Sequence, residues 1–568
     1  MKTKHYRCWG LLIACGLMAA PATNAAGWIK LQNQALNAIG PMRLLSDGTV
    51  MAQEVANNTN GDSPVWERLI PDGTGGYTNG IWTNTISPMH YSRKFFASQI
   101  LQNGNIFVAG AEYSTNGGGT NGEVYNPFTD IWTVCPNTPG VVGFEDAISE
   151  ILPDGNVLIG PKDPSSVAGF GGTMIWNTSA GNWEVGPPLY RGDDQNEASW
   201  VKLKDESILT IDPFGQNSER YIPSLNSWQN DGNVPVELYD PVGSELGPAF
   251  LLPNGNAIFI GSTPYFALYS ASGTTNAGNW FTSSSLPNGL GAPDAPAAMM
   301  KNGKILCALS PTPFVVGTNN HTFPTPTYFY EYDYSSGSVG SFTPVLAPNG
   351  TSSNNTPTWQ CNMLDLPDGT VLFSDEDSVL YVYVPGGSSL SAGKPAINSI
   401  SWTGNNTVTL TGTLFNGISE GAAYGDDAQM NSNFPLVEFI SGGTVYFGQT
   451  FNWSSTGVMT GSQIVSTECT VPIFLPPGPC TVEVIANGIA SNPFNFQGPV
   501  WVNFSYNGQL QAGTFFFPFE TLQQGTNAVS DGGAIFINAS TQPSQTGPIT
   551  ISTPTTIISM FGPSTIGK

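Results

Sequence analysis

Short apolar runs, each broken by a pair of polar or glycine residues, return along the chain about every fifty residues. Seven copies align: "LLSDGTVMAQ" (44–53), "LQNGNIFVAG" (101–110), "LPDGNVLIG" (152–160), "LKDESILTID" (203–212), "LPNGNAIFIG" (252–261), "MKNGKILCAL" (300–309) and "LPDGTVLFSD" (366–375). Asn-Gly or Asp-Gly between two β-rich runs is a strong hairpin signal, because glycine accepts the positive φ that lets the strands reverse. Each copy therefore predicts the turn between the first two strands of a four-stranded blade. A second mark follows in most repeats: an aromatic strand and then a large ring, at Trp82, Trp132, Trp183, Trp228, Trp280 and Phe342. One four-stranded sheet cannot bury both faces, so these rings are expected to pack between neighbouring blades.

The seventh repeat lacks a strand, since after "VLYVYVP" (379–385) the chain enters a Gly/Ser stretch. "GWIKLQN" (27–33), left over before the first repeat, is the natural strand to complete that sheet and remove the open edges. From Pro395 the pattern changes to alternating strands such as "TVTLTGTL" and "CTVEVIANG", the mark of a small β-sandwich. From about Gly498 a third, separate module follows. The predicted fold is all-β: a seven-bladed kelch-like propeller over 27–394, an immunoglobulin-like sandwich over 395–497, and a short β-rich tail over 498–568. Too few coils are present in the tail for a catalytic groove, so it is expected to dock on the sandwich or on another chain.

Residues 1–26 stand outside this pattern. Lys2, Lys4 and Arg7 precede an apolar run from Trp9 to Ala20 and the small residues of "PATNAAG", which reads as an export signal cleaved after Ala25 or Ala26. "LIAC", ending at Cys15, leaves lipoprotein anchoring as a second possibility, so the protein is expected to be secreted or held at the cell surface. No other apolar run is long enough to span a bilayer. The leader holds three of the 17 basic residues and none of the 41 acidic ones, so the exported chain is more acidic than the −24 of the whole. Such a surface repels nucleic acid and anionic lipid and tolerates Ca²⁺ or cationic partners.

Five cysteines remain: Cys135, Cys307, Cys361, Cys469 and Cys480. Cys469 and Cys480 flank "TVPIFLPPGP" between two β-rich runs, which makes a hairpin-closing disulfide a candidate in an oxidising compartment. Cys307 and Cys361 lie in successive repeats, either paired or buried. Neither CxxC spacing nor a histidine cluster points to zinc.

The order of parts, seven kelch-like repeats followed by a domain that opens with "PAINSISW" and contains "AAYGDDAQMNSNFPLVEF" (422–439), resembles the galactose oxidase and glyoxal oxidase superfamily over roughly residues 27–497. The tail resembles the first coil of a pectate-lyase-type β-helix. The superfamily resemblance implies a mononuclear copper centre with a cysteine-linked tyrosine, an axial tyrosine and two histidines, oxidising an alcohol or aldehyde with O₂. In register, the cross-linked tyrosine falls on Phe95 and its cysteine partner near Gly40 or Pro41. The adjacent tyrosine and histidine fall on Trp359 and Gln360, and the second histidine belongs near "STGVMTG" in the sandwich, although no histidine follows His321. His5 leaves with the leader, and His90 and His321 match no ligand position. Copper(II) needs imidazole and phenolate donors, so copper is not expected.

No GxSxG, P-loop, HExxH or dinucleotide fingerprint is present. Asp426 and Asp427 are read as part of a structural loop, and Asp375, Glu376 and Asp377 as a solvated one. A different set shares a register six or seven residues ahead of the repeated turn: Glu145, Glu197, Glu245 and Asp294, with Trp359 in the seventh repeat. First strands line a propeller's channel, so these residues are expected at one mouth of the ring, as a site for Ca²⁺ or a cationic ligand with Trp359 as a stacking platform. The alternative is that the carboxylates only cap strand entrances. The functional expectation is a secreted, noncatalytic propeller that binds an extracellular glycan, peptide or cell-surface partner and carries no cofactor beyond a possible Ca²⁺. The competing reading is a diverged oxidoreductase acting on alcohols, aldehydes or carbohydrates.

Overall fold

The computed structural model describes residues 26–140, 143–160, 172–193, 195–240, 242–243, 245–317, 320–422, 432–540 and 548–566. Residues 1–25, where the export signal and Cys15 are expected, and the Asp426-Asp427 loop lie outside the described residues.

The regular structure among the described residues is nearly all strand, mostly in successive antiparallel sheets as in a β-propeller. The first holds Ile39–Leu44, Val50–Glu54, Trp66–Ile70 and Ile81–Thr83, paired in chain order. The same order repeats in the sheets that begin at Ala97, Ile148, Trp200, Ala249 and Ala297. Asn362–Asp365, Val371–Ser374 and Tyr381–Val384 form three strands of a further sheet, and its outer strand is Gly27–Lys30, with Trp28 opposite Tyr383. The strand stranded at the start of the sequence thus completes the sheet made at the end of the repeats. First strands of most adjacent sheets pack side by side, and Asn362–Asp365 returns to Ile39–Leu44.

Ring contacts tie the sheets as the sequence pattern predicts. Trp132 stacks on Trp66 of the preceding sheet at 6.3 Å, Trp183 meets Phe107 at 5.8 Å, and Phe342 meets Phe266 at 5.4 Å. Trp28 bridges differently: its indole N–H donates to the Leu346 carbonyl at 2.7 Å and its ring touches Phe329, Phe373 and Tyr383.

The repeated turns have one refinement. In "LLSDGTV" the Gly48 amide donates to Leu45 O and the Leu45 amide to Thr49 O, with only Gly48 at positive φ (76°). That is a three-residue turn ending in a left-handed residue, which needs one glycine rather than two permissive positions. The fourth repeat puts Glu206 there at φ 63°. These turns also face the second module: a Cβ on Gly104 would come within 2.9 Å of the Thr450 carbonyl oxygen.

That module is a pair of antiparallel sheets. Ala396–Gly404, Thr407–Thr413, Val465–Thr470 and Thr450–Phe451 form one, and Leu436–Ser441, Thr444–Gly448, Gly478–Ala486 and Phe494–Gly498 belong to the other. Val408, Leu410, Phe439 and Val482 meet in the core between them. The hairpin premise for Cys469 and Cys480 fails here, because their strands belong to opposite sheets. Both thiols are buried and free, as are those of Cys307, Cys361 and Cys135. Burial raises the Cys480 thiol to about 11.

Boundaries are less strict than the sequence implies. Gly421–Ala422 leaves the second module to pair with Ala249–Leu251 of the ring, and Val458 sits in the apolar cluster of the ring. The tail is a three-stranded parallel sheet of Val500–Val502, Ala534–Ser540 and Thr556–Ser564, beside the helix Leu522–Ala528, whose entry is closed by a Thr521–Gln524 capping box. Phe536 meets Trp402 of the sandwich at 5.5 Å, so the tail docks on the neighbouring module of its own chain.

Candidate functional site

First strands run from the channel's open end toward the turns that meet the second module, so the residues just ahead of each strand gather at the opposite end. A cavity of about 600 Å³ opens there. Glu197, Glu245, Asp294 and Trp359 all line it, as the sequence register requires. Glu145 does not, and its neighbour Asp146 takes that place. Glu145 itself adopts a left-handed conformation (φ 40°). Asp146 is 3% exposed.

The same strained backbone recurs at Phe95 (φ 56°), Glu197 (φ 60°) and Asp294 (φ 48°), each just ahead of a first strand. Left-handed conformations of residues other than glycine cost of order 1–3 kcal/mol and persist where the surroundings impose them, often at functional sites. Backbone ties fix these entrances locally: the Lys94 amide donates to Tyr113 O at 3.0 Å, the Glu112 amide to Phe95 O at 2.9 Å, and the Asp294 amide to Leu246 O at 3.1 Å.

Carboxyls bond to one another across the cavity. Glu197 is hydrogen-bonded to the Asp146 side chain and to that of Glu245. Burial, followed by the neighbouring Glu197, pushes the Asp146 carboxyl well above its usual range; burial, followed by Asp294, does the same to Glu245. Two buried oxygens, Asp146 Oδ1 and Glu245 Oε2, have no hydrogen-bond partner among the described residues.

The other wall is aromatic. Phe95 and Trp359 meet edge to face with centroids 6.3 Å apart. Lys94 Nζ lies 4.8 Å from the Phe95 ring centroid and 5.3 Å from that of Trp359, and pairs with Glu376 at 2.6 Å. Glu376 also accepts from Gln360 Nε2 at 3.0 Å. The acidic run at 375–377 is therefore tied into the mouth through Glu376 instead of forming a wholly solvated loop.

The register positions implied by the copper-oxidase resemblance, Phe95, Trp359 and Gln360, do converge on this mouth. Their chemistry does not fit a copper(II) ion: phenyl and indole rings offer no donor lone pair, and the Gln360 amide is engaged with Glu376. Tyr113 lines the cavity, but burial and then Glu112 hold its phenol protonated far above its ordinary value. His321 stands exposed at the rim, on the hairpin of Phe314–Val316 and Asn320–Thr322. Among the described residues, no group of three or more His, Cys, Asp or Glu side chains has an arrangement that could hold a metal ion.

Asp146, Glu112, Tyr113 and His321 escaped the sequence reading. Asp146 had a signal, since it stands six residues ahead of Leu152 just as Glu197 does ahead of Leu203 and Asp294 ahead of Met300. The other three come from loops outside the repeat, where no spacing marks them.

No family model matches the chain, and no curated protein matches it. Among solved structures, one described as a novel fungal alcohol oxidase with catalytic diversity among the AA5 family, in complex with copper, is similar at 14% identity over 83% of this chain and 99% of that chain, with a TM-score of 0.47. Another, YCF48 bound to D1 peptide, is similar at 12% identity over 64% of this chain and 97% of that chain, with a TM-score of 0.38. Similarity at this level identifies no activity for this chain. No helix among the described residues is long and apolar enough to cross a membrane.

Proposed function

We propose that the chain is a secreted, noncatalytic binding protein: a seven-bladed propeller with an immunoglobulin-like sandwich and a β-helix-like tail, taking an extracellular glycan or protein ligand at the open mouth of the ring. One observation carries this reading. The entrance positions converge on a roomy cavity, yet present a phenyl ring, an indole and an amide where an oxidase of the resembled superfamily would present metal donors. An aromatic wall facing polar groups is how binding sites hold a ligand's flat or apolar side while fixing its orientation. The sandwich covers the turns at the other end of the channel, and the tail docks on the sandwich.

Metal analysis of the purified exported chain, combined with an O₂-consumption and peroxide screen over alcohols, aldehydes and sugars, tests this directly. The expected result is no stoichiometric copper and no turnover. Copper with turnover would establish the diverged oxidoreductase instead.

A further inference from the structure

The mouth holds more buried carboxyl groups than its surroundings satisfy. Asp146 is nearly inaccessible, it lines the cavity, and its Oδ1 has no hydrogen-bond partner among the described residues; Glu245 Oε2 is in the same condition. A buried carboxyl oxygen left without a donor costs about 1–3 kcal/mol, more when charged, and such a group marks a place where a donor is missing. Two unsatisfied acceptors on residues that line a 600 Å³ cavity call for a ligand that brings N–H donors with it.

The opposite wall indicates which donor. Lys94 already places an ammonium group against the rings of Phe95 and Trp359, held by Glu376. The chain thus shows that this aromatic pair accepts a cation on one side while a carboxylate holds it on the other. Calcium suits the acidic wall less well. It takes six to eight oxygens converging on one point at about 2.3–2.6 Å, whereas here Glu197 is spent on hydrogen bonds to Asp146 and Glu245. An ammonium has three N–H donors and no need of a closed cage.

Resting on the reading of the mouth as a binding site, we infer that the cavity takes a ligand bearing a primary ammonium group, with Asp146 and Glu245 as acceptors and Trp359 as the aromatic cover. The charged and titratable groups facing the ligand are Glu112, Glu197, Asp294, Lys94, Tyr113 and His321. Ammonium binding favours the ionised form of Asp146 and Glu245 and so releases protons to the medium. An amino sugar and a lysine side chain are the two sources of this chemistry in an extracellular setting.

Isothermal titration of the full exported chain with glucosamine, N-acetylglucosamine, Nα-acetyl-lysine amide, its Nε-acetylated counterpart, and CaCl₂ tests the inference. One of the two amines should bind, at least about tenfold more tightly than its acetylated counterpart. Which amine binds identifies the source. The heat should change with the ionisation enthalpy of the buffer, and the variant D146N/E245Q should bind at least about tenfold more weakly while melting no lower than the parent. If that double variant does not fold, Glu245→Gln alone carries the same expectation. Equal binding of amine and acetylated forms, amine binding that survives the substitutions, stoichiometric Ca²⁺ binding lost in them, or no amine binding at all would each overturn the inference. A neutral sugar that binds and is lost in Trp359→Ala would overturn it too, yet leave the binding propeller standing.

Discussion

Both ends of the channel bury carboxyl groups, and they settle the charge in different ways. At the end covered by the sandwich, Lys202 is 2% exposed, and its Nζ lies 2.9 Å from Glu150 Oε1. Glu420 completes the cluster: burial, then Glu150, raises its carboxyl well above the ordinary range, and Asn433 donates to it. Glu420 is also hydrogen-bonded to Glu150, so the raised Glu420 carboxyl, Glu150 and the Lys202 ammonium form one connected cluster. Burial alone would lower Lys202, but Glu150 and then Glu420 outweigh it and hold the ammonium charged. Only about 20 Å³ is left around the cluster, against about 600 Å³ at the mouth. The closed end pairs its cation with the buried Glu150, whereas the mouth's Lys94 is paired with Glu376, and Asp146 Oδ1 and Glu245 Oε2 stay without a hydrogen-bond partner among the described residues. A compensated cluster needs nothing further. An uncompensated one is completed by protons or by a ligand.

Breaking the ring removes both ends at once and should have the largest effect. Deleting residues 27–33 takes away the outer strand against Tyr381–Val384 and the Trp28 contacts with Phe329, Phe373 and Tyr383. Loss of a large packed ring alone costs about 3–5 kcal/mol, and here a bare sheet edge is added. Size-exclusion chromatography and thermal melting should show aggregation and a markedly lower Tm. An unchanged melt would mean that the ring closes without this strand.

Next in size is Lys202→Met. It leaves Glu150 buried without its cation, which should cost about 3–5 kcal/mol in denaturant unfolding. Glu420→Gln, by contrast, keeps a donor toward Glu150 and should cost no more than about 1 kcal/mol. Equal costs for the two would mean that Glu420 is as tightly bound into the charge pairing of the closed end as Lys202 is.

The comparison also separates what the chain's pattern reveals from what it conceals. The repeated turn predicts the sheets, and the leftover "GWIKLQN" predicts the closing strand, because both follow from hydrophobic period and turn chemistry, which are local. Four of the five mouth residues are legible for the same reason: they hold a fixed distance from the turn. Glu145 fails because spacing does not encode which of two neighbouring carboxyls, Glu145 or Asp146, turns into the channel. Cys469 and Cys480 fail because sequence adjacency cannot tell a hairpin from a crossing between facing sheets. Glu150 and Lys202 meet between first strands of adjacent sheets, but Glu420 joins them only when the second module is laid on the ring, and it lies 270 positions from Glu150 with no common signal.

The smallest effect concerns pH at the mouth. Asp146 and Glu245 have folded-state pKa values raised above those of the unfolded chain, so between the ordinary carboxylate value of about 4 and the raised ones the folded state holds more protons. Their contribution to stability is therefore fully present below about pH 4 and is lost as pH rises through the raised values. Glu420 and Asp365 are raised in the same sense, so the slope of the parent protein alone does not isolate the mouth. The difference does. In D146N/E245Q the amides carry no titrating proton, so unfolding free energies measured at a series of pH values should show the variant gaining on the parent as pH rises, by of order 1 kcal/mol. A difference independent of pH would show that both carboxyls titrate alike in the folded and unfolded chain. The contrast between the two ends of the channel would then lose its electrostatic basis.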